Sequence, residues 1–162
     1  MKIPQKSQSG FTLIELVMVI VLIGILSYGA ASLFSSRDAY AGFIAKDQLI
    51  SSGLLAQQVA MGMGTTPDAA KLKVERTSDD LWVFTVSKTD LTPVVVSQEA
   101  SGASISVDGV ILTAGDSREF TWNSNASLSD GANHHVHFVG TKTHRVCFSA
   151  SGYVYESQVA CP

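Results

Sequence analysis

A single carboxylate, Glu15, lies at the start of a long apolar run. It is the only charged residue between Ser7 and Phe34. A charged side chain at the centre of a membrane-spanning helix costs about 2.5–3.5 kcal/mol, so such residues usually have a functional partner. The position of Glu15 therefore predicts a functional contact, and the partner has to be identified.

Histidines form the second group that could do chemistry, in the stretch NHHVHF. In a strand, His135 and His137 would lie on one face and could share a zinc or copper ion, with His144 as a third ligand from the next strand. No Asp or Glu stands in an obvious supporting place. We favour a solvent-facing polar strand opposite Val136 and Phe138, with a pH-responsive contact as the alternative. No metal and no cofactor is predicted.

Two cysteines, Cys147 and Cys161, lie 14 residues apart near the C-terminus. Neither belongs to a CxxC or Cys/His zinc pattern. If this part of the chain is exported, a disulfide is expected, and closing a loop of this length would stabilise the fold by about 3 kcal/mol. Two unrelated reduced thiols are the alternative.

Patterns that would indicate an enzyme are missing from the sequence. No serine is framed as GxSxG, and the stretch 62–66 has no lysine to make a phosphate loop. Asp79 and Asp80 precede a predicted strand and fit a solvated turn. We predict that the protein is not an enzyme. The residues after Ser36 carry nine Lys and Arg against thirteen Asp and Glu, a net charge of −4 that disfavours nucleic-acid binding.

The N-terminal run is long enough to cross a bilayer. Leu16 to Ser36 contains 21 residues without a charge, or roughly 30 Å of helix. Lys2 and Lys6 precede it, so the positive-inside tendency keeps residues 1–10 cytoplasmic and sends the C-terminal part outward. A cleaved secretory signal fits poorly because no A-x-A site follows the run. An ordinary signal anchor would explain everything except Glu15 and its neighbours.

The stretch GFTLIE, residues 10–15, followed by an apolar helix, resembles the N-terminus of type IV pilins and type II secretion pseudopilins. The resemblance implies that a prepilin peptidase cuts between Gly10 and Phe11 and that Phe11 becomes N-methylated. Glu15 would then be the fifth mature residue, which the family uses for assembly. It lies one helical turn from the new amine, and it could meet the amine of Phe11 in a neighbouring subunit.

That resemblance also implies partners and a location. The partners would be other pilin subunits, contacted through the N-terminal helix, the prepilin peptidase and the inner-membrane assembly platform. The protein would be inserted once in the inner membrane with a periplasmic head, and would then enter a pilus or pseudopilus filament.

The sequence departs from the family pattern at two places, of which the first bears on peptidase recognition and the second favours a minor subunit or pseudopilin. Ser9 stands where many members have Lys or Arg, and Ser32 stands where many major pilins have a helix proline. The stretches LLAQQVA and VCFSASGYVY look most like minor pilins of the mannose-sensitive haemagglutinin (MSHA) system, with a GspH/FimT-like head. The alternatives are a type II secretion pseudopilin, a tip module that binds a surface or ligand, and a periplasmic metalloenzyme on a signal anchor.

One helix from about residue 12 to 62 is predicted, roughly 75 Å long, and Gly62, Gly64 and Pro67 end it. Its second half has apolar positions at helical spacing: Tyr40, Phe43, Ile44, Leu54, Leu55 and Val59. The predicted organisation is a leader (1–10), an assembly helix (11–36), a periplasmic half of the helix (37–64) and a β-rich head (65–162).

Short apolar runs separated by turn residues predict an antiparallel β head after Pro67. The sequence Asp108-Gly109 between two apolar stretches favours a tight hairpin, and Ser151-Gly152 suggests another. The fold class is therefore α+β, a long hydrophobic helix packed against an antiparallel sheet. The predicted strands are 81–87, 92–98, 103–107, 110–113, 118–122, 135–139, 145–149 and 153–156, and the predicted core residues are Trp82, Phe84, Val86, Phe120, Phe138 and Phe148.

Overall fold

A computed structural model describes residues 11–34, 37–62, 70–88, 91–99, 102–140, 142–159 and 161. The chain divides into two compact units, Met1–Ser36 and Arg37–Pro162. The prediction of one continuous helix depends on residues 35 and 36, which lie outside the described residues. The organisation into leader, assembly helix and head remains a prediction.

The first unit contains one helix, α1, at Leu13–Phe34. Its sequence is apolar on every side after Glu15, so it has no polar face to turn towards water. Among the residues that the structure describes, no helix meets the combined length and apolarity needed to cross a membrane.

The second unit packs a helix, α2 (Arg37–Met61), against two antiparallel sheets, which confirms the α+β class. The order is β3-β2-β1-β6 in the first sheet and β5-β4-β7-β8-β9 in the second. Helix α2 contacts strands of both sheets. The strands are β1 Ala70–Ser78, β2 Leu81–Lys88, β3 Leu91–Glu99, β4 Ser104–Val107, β5 Val110–Ile111, β6 Ser117–Trp122, β7 His134–Val139, β8 Thr143–Phe148 and β9 Val154–Glu156.

All eight predicted strands are present, but a central strand was not predicted. Strand β1 pairs with β2 on one side and β6 on the other. Its side chains alternate, with Ala70, Leu72 and Val74 buried while Lys71 and Lys73 point outward. This period of two was visible in AKLKVE and is typical of a half-buried strand.

The core lies between α2 and the two sheets. The six predicted core residues are all buried there, and Trp82 packs on Phe138 with ring centroids 5.2 Å apart. Phe120 stacks on Phe148 at 4.2 Å, with the rings 10° from parallel. The aromatic side chains of β2, β6, β7 and β8 therefore join the two sheets into one core.

The predicted apolar face of α2 was wrong in its first half. Tyr40, Phe43 and Ile44 are 61, 45 and 42% exposed. Small side chains lie against the sheets instead, because they let the helix backbone approach closely. The buried hydrophobic residues of α2 are Ala41, Ala45, Leu49, Ala56 and Ala60.

A lysine lies within this buried face. Lys46 is 4% exposed, and its Nζ lies 2.7 Å from Glu156 Oε2 in β9 and 3.2 Å from Asp47 Oδ1. It also sits 4.3 Å from the centre of the Phe43 ring. Burial disfavours its charged form, but hydrogen bonds to the two carboxylates outweigh burial and raise the pKa of Lys46. The ion pair therefore fixes α2 against the edge of the second sheet.

Two helical glycines make a matched test of this close packing. A Cβ at Gly53 would lie 2.6 Å from Val154 Cγ2, whereas at Gly42 the nearest atom, His144 Cδ2, would be 3.5 Å away. Gly42→Ala should stabilise by up to about 1 kcal/mol through helix propensity. Gly53→Ala should destabilise by about 1 kcal/mol, because overpacking costs about 1–3 kcal/mol. Thermal unfolding of both variants measures the difference, and equal shifts would contradict the packing.

Candidate functional site

Glu15 and Thr12 cap the N-terminus of α1 reciprocally. The Thr12 backbone N–H donates to Glu15 Oε2 at 2.8 Å, and the Thr12 hydroxyl donates to the same oxygen at 2.8 Å. The Glu15 N–H donates in return to Thr12 Oγ1 at 3.3 Å. This is a capping box of the pattern T-x-x-E, which satisfies two backbone donors that the helix leaves free.

The capping box was readable in the sequence as Thr12-Leu13-Ile14-Glu15, but sequence reasoning assigned Glu15 only to the amine of Phe11. In the described chain the carboxylate of Glu15 accepts from Thr12. Gly10 lies outside the described residues. The cut after Gly10, the methylation of Phe11 and the assembly role of Glu15 remain predictions.

The side chains that follow Glu15 are open to contact. Among the large apolar residues from Phe11 to Tyr28, each side chain is at least 46% exposed. A helix that is apolar all round needs an apolar environment, either other helices or lipid. The first unit therefore presents a capped carboxylate at the head of an apolar surface.

Residues 5–31 match the family described as the prokaryotic N-terminal methylation motif. The chain carries this methylation motif. The matched range includes Gly10, Phe11 and Glu15, so the predicted cleavage and methylation sites fall within it. The match covers the N-terminal segment and does not include the head.

A solved structure with similar architecture is the type IV minor pilin FimU of Pseudomonas aeruginosa. The two sequences are 11% identical over 70% of this chain and 90% of that chain, with a TM-score of 0.49. No curated protein matches the chain.

The three histidines proposed as metal ligands do not come together. His135 and His137 share the outer face of β7, with ring centroids 6.3 Å apart. His144 pairs with Phe138 across β7 and β8, which places it on the opposite, core-facing side. There its Nδ1 lies 3.9 Å from Glu156 Oε1. Within the described ranges, no group of three or more His, Cys, Asp or Glu is arranged to hold a metal ion.

A fourth histidine, His134, bridges two carboxylates. Its Nδ1 lies 2.7 Å from Asp108 Oδ2, and its Nε2 lies 2.7 Å from Asp130 Oδ2. Because a neutral imidazole has only one N–H, both contacts can be donated only by the charged ring. Asp108 belongs to the predicted Asp-Gly turn, which is present between β4 and β5, with a φ of 50° at Asp108 and 81° at Gly109. His134 therefore ties this hairpin to the loop before β7.

The pKa of His134 follows from these contacts. Partial burial disfavours its charged form, but the hydrogen bonds to Asp108 and Asp130 and their negative charges outweigh burial and raise the pKa above 6.5. Burial also opposes ionisation of Asp130, yet the Ala132 N–H and His134 hold its pKa below 3.8. Sequence reasoning missed this bridge because Asp108 and His134 meet only through the pairing of β4 with β7.

Stability should depend on this bridge in a defined pH window. A raised histidine pKa contributes stability that is complete below the unfolded value near 6.5 and lost as pH rises through the folded value. Because the pKa of Asp130 is lowered, its contribution to the stability of the fold is complete above the unfolded value near 3.8. This contribution is lost as pH falls through the folded value. His134→Gln should cost about 1 kcal/mol near pH 5.5, since both aspartates are about half exposed, and much less at pH 9. Thermal unfolding of both proteins across this range measures the difference, and a constant difference would contradict the bridge.

The predicted disulfide is present between Cys147 of β8 and Cys161. Cys147 is fully buried, and the Cα atoms of the pair are 5.7 Å apart. The Ser157 N–H donates to the Arg145 carbonyl at 3.0 Å, so the segment after β9 runs beside β8. The disulfide thus fastens the C-terminal segment next to His135, whose Nδ1 accepts from the Cys161 N–H at 3.5 Å.

Proposed function

We propose that this protein is a minor pilin, processed by prepilin peptidase and assembled into an MSHA-type type IV pilus that serves adhesion. The methylation motif over residues 5–31 carries the proposal. Before assembly the protein would be held in the inner membrane as a single-pass protein with a periplasmic head. A minor pseudopilin of a type II secretion system would use the same N-terminus.

The membrane step is supported by sequence and charge. The run from Leu16 to Ser36 contains no charged residue. Only part of this run lies among the residues whose side chains the structure describes. Lys2 and Lys6 precede it and favour a cytoplasmic N-terminus. The Cys147–Cys161 disulfide fits an oxidising compartment for the head.

The assembly step uses the geometry at Glu15. Its carboxylate accepts both Thr12 hydrogen bonds through Oε2, and a carboxylate offers about four acceptor positions on two oxygens. Cleavage before Phe11 would place a cationic amine on each mature subunit. The amine of an incoming neighbour could therefore bind Glu15 without breaking the cap. Pairing the two charges removes a lone carboxylate from an apolar environment, which favours docking in one axial register.

The head also presents an apolar surface to neighbours. Ile44 of α2 is 42% exposed, and edge strand β3 exposes Val94 and Val95. Ile44 and Val94 line the same groove between α2 and β3. Contiguous apolar residues on a soluble surface are typical of protein–protein contacts. This surface would pack against other subunits once α1 is in the filament.

The proposal is tested at the N-terminus of the protein from its native membrane. The expected intact mass is that of a chain starting at Phe11 with one added methyl group. The protein should also be recovered with sheared pili. Recovery with an MSHA-type pilus supports the assigned system, whereas recovery only with a secretion pseudopilus favours the alternative. A chain that still begins near Met1 would overturn both.

A further inference from the structure

A cleft of about 460 Å³ lies on the outer face of the second sheet. His137 of β7 and Arg145 of β8 stand opposite each other in the strand pairing, and His135 lies two residues along the same face. The turn between β4 and β5 completes the wall with Asp108 and Gly109. Three nitrogen-bearing side chains therefore converge on one open space.

The carboxylate at the wall of this cleft is already engaged. Asp108 Oδ1 accepts from the His135 backbone N–H at 2.8 Å, and Oδ2 contacts His134 Nδ1 at 2.7 Å. Both oxygens of Asp108 are therefore occupied, and the single charge of His134 is shared between Asp108 and Asp130. Among the described residues, Arg145 has no carboxylate within ion-pair distance, so no ion pair neutralises its guanidinium.

The three nitrogen-bearing side chains are placed as donors. Arg145 Nη1 donates to the Gln158 carbonyl at 3.4 Å, which orients the guanidinium and leaves other N–H groups for a ligand. His135 Nδ1 accepts from the Cys161 N–H, so its neutral ring carries the proton on Nε2. Burial and the nearby positive charge of Arg145 lower the pKa of His137. An anion bound beside Arg145 would offset this repulsion and favour the charged form of His137.

We propose that this cleft binds an oxyanion, a sulfate, phosphate or carboxylate group, held by Arg145, His135 and His137. A guanidinium matches the oxygen spacing of such groups and can donate two parallel hydrogen bonds. A cation would instead meet the charge of Arg145. The site gives the head a means of recognising an acidic ligand although its net charge is negative, and it does not depend on the proposed pilus function.

Binding should strengthen as pH falls. The groups that face His137 are His135 on its own strand, Arg145 on β8, Ser106 on β4 and Asp108 in the turn. A bound anion favours protonated His137, and by reciprocity protonated His137 favours the anion. The pKa of His137 lies below 6.5 in the free protein and is higher when the anion is bound. The affinity therefore rises as pH falls from the pKa of the bound protein to that of the free protein.

The test uses the full chain in nonionic detergent and follows the histidine Cε1–H signals by NMR while sodium sulfate is added at constant ionic strength against chloride. We expect saturable shifts of His135 and His137, a higher pKa for His137, and an affinity at pH 5.5 at least about fivefold that at pH 7.5. Arg145→Gln should weaken binding at least about tenfold. His144→Gln is the matched control, since His144 lies on the opposite face, and it should bind as the wild type does.

Three results would overturn the proposal. The first is that sulfate, phosphate and acetate each shift the histidine signals no more than chloride does. The second is that Arg145→Gln binds the oxyanion as tightly as the wild type does. An unchanged His144 signal in this variant would show that its fold is intact. Finally, one equivalent of zinc could shift His135 and His137 where the oxyanions do not, which would identify a cation site. Saturable binding of any one of the three oxyanions that requires Arg145 supports it.

Discussion

Glu15→Gln is expected to be processed normally and to be lost from sheared filaments by at least about tenfold relative to the wild type. The substitution removes the charge that would pair with a neighbouring amine. It leaves the helix cap in place, because glutamine at this position of a capping box also accepts from the backbone N–H of the cap residue. Quantitative mass spectrometry of the filament and membrane fractions measures the ratio.

Thr12→Val is the matched control. It has nearly the same shape as threonine but loses the hydroxyl that donates to Glu15 Oε2 and accepts from the Glu15 N–H. Loss of an N-cap typically costs about 1 kcal/mol, while the carboxylate of Glu15 keeps its charge. We expect Thr12→Val to enter filaments at close to the wild-type level. If Thr12→Val is lost and Glu15→Gln is retained, Glu15 acts through the helix cap and the assembly role is wrong.

The sequence predicted the elements of the head well and their faces less well. Asp108-Gly109 gave the hairpin because its backbone conformation depends on those two residues alone. Strand β1 was not predicted, because its apolar residues Leu72 and Val74 alternate with charged residues and form no continuous apolar run. Fold class and core depend on the overall apolar pattern, and both were predictable.

The helix face could not be read from hydrophobicity. The buried side of α2 is made mainly of alanines, Leu49 and the ion-paired Lys46, while Tyr40 and Phe43 are 61 and 45% exposed. Which side of α2 is buried depends on how closely the helix must approach β9, as the contact at Gly53 shows. The bridge at His134 and the cleft at Arg145 likewise depend on strand register, which joins residues far apart in sequence.

Gly152→Ala is expected to destabilise the head by at least about 3 kcal/mol. Gly152 has a φ of +89°, a conformation that alanine adopts only with strain. A Cβ there would also overlap the backbone carbonyl oxygen of Ala126, which accepts from Gln57 Nε2 in α2 at 3.4 Å. In addition, the buried Trp122 indole N–H donates to the Gly152 carbonyl at 3.0 Å. The turn before β9 therefore fits between a backbone loop and a core side chain.

Gly115→Ala separates the two causes, because Gly115 has a φ of +92° but open space around the position of a Cβ. It should cost only the backbone strain, about 1–2 kcal/mol. Thermal unfolding of both variants gives the stability that each loses. The excess loss of stability in Gly152→Ala over Gly115→Ala then measures the overlap with Ala126. Equal losses would mean that the loop at Ala126 moves aside freely. An excess would mean that Gly152 locks β9 to β6 and α2, and that the C-terminal segment is held by this turn as well as by the disulfide.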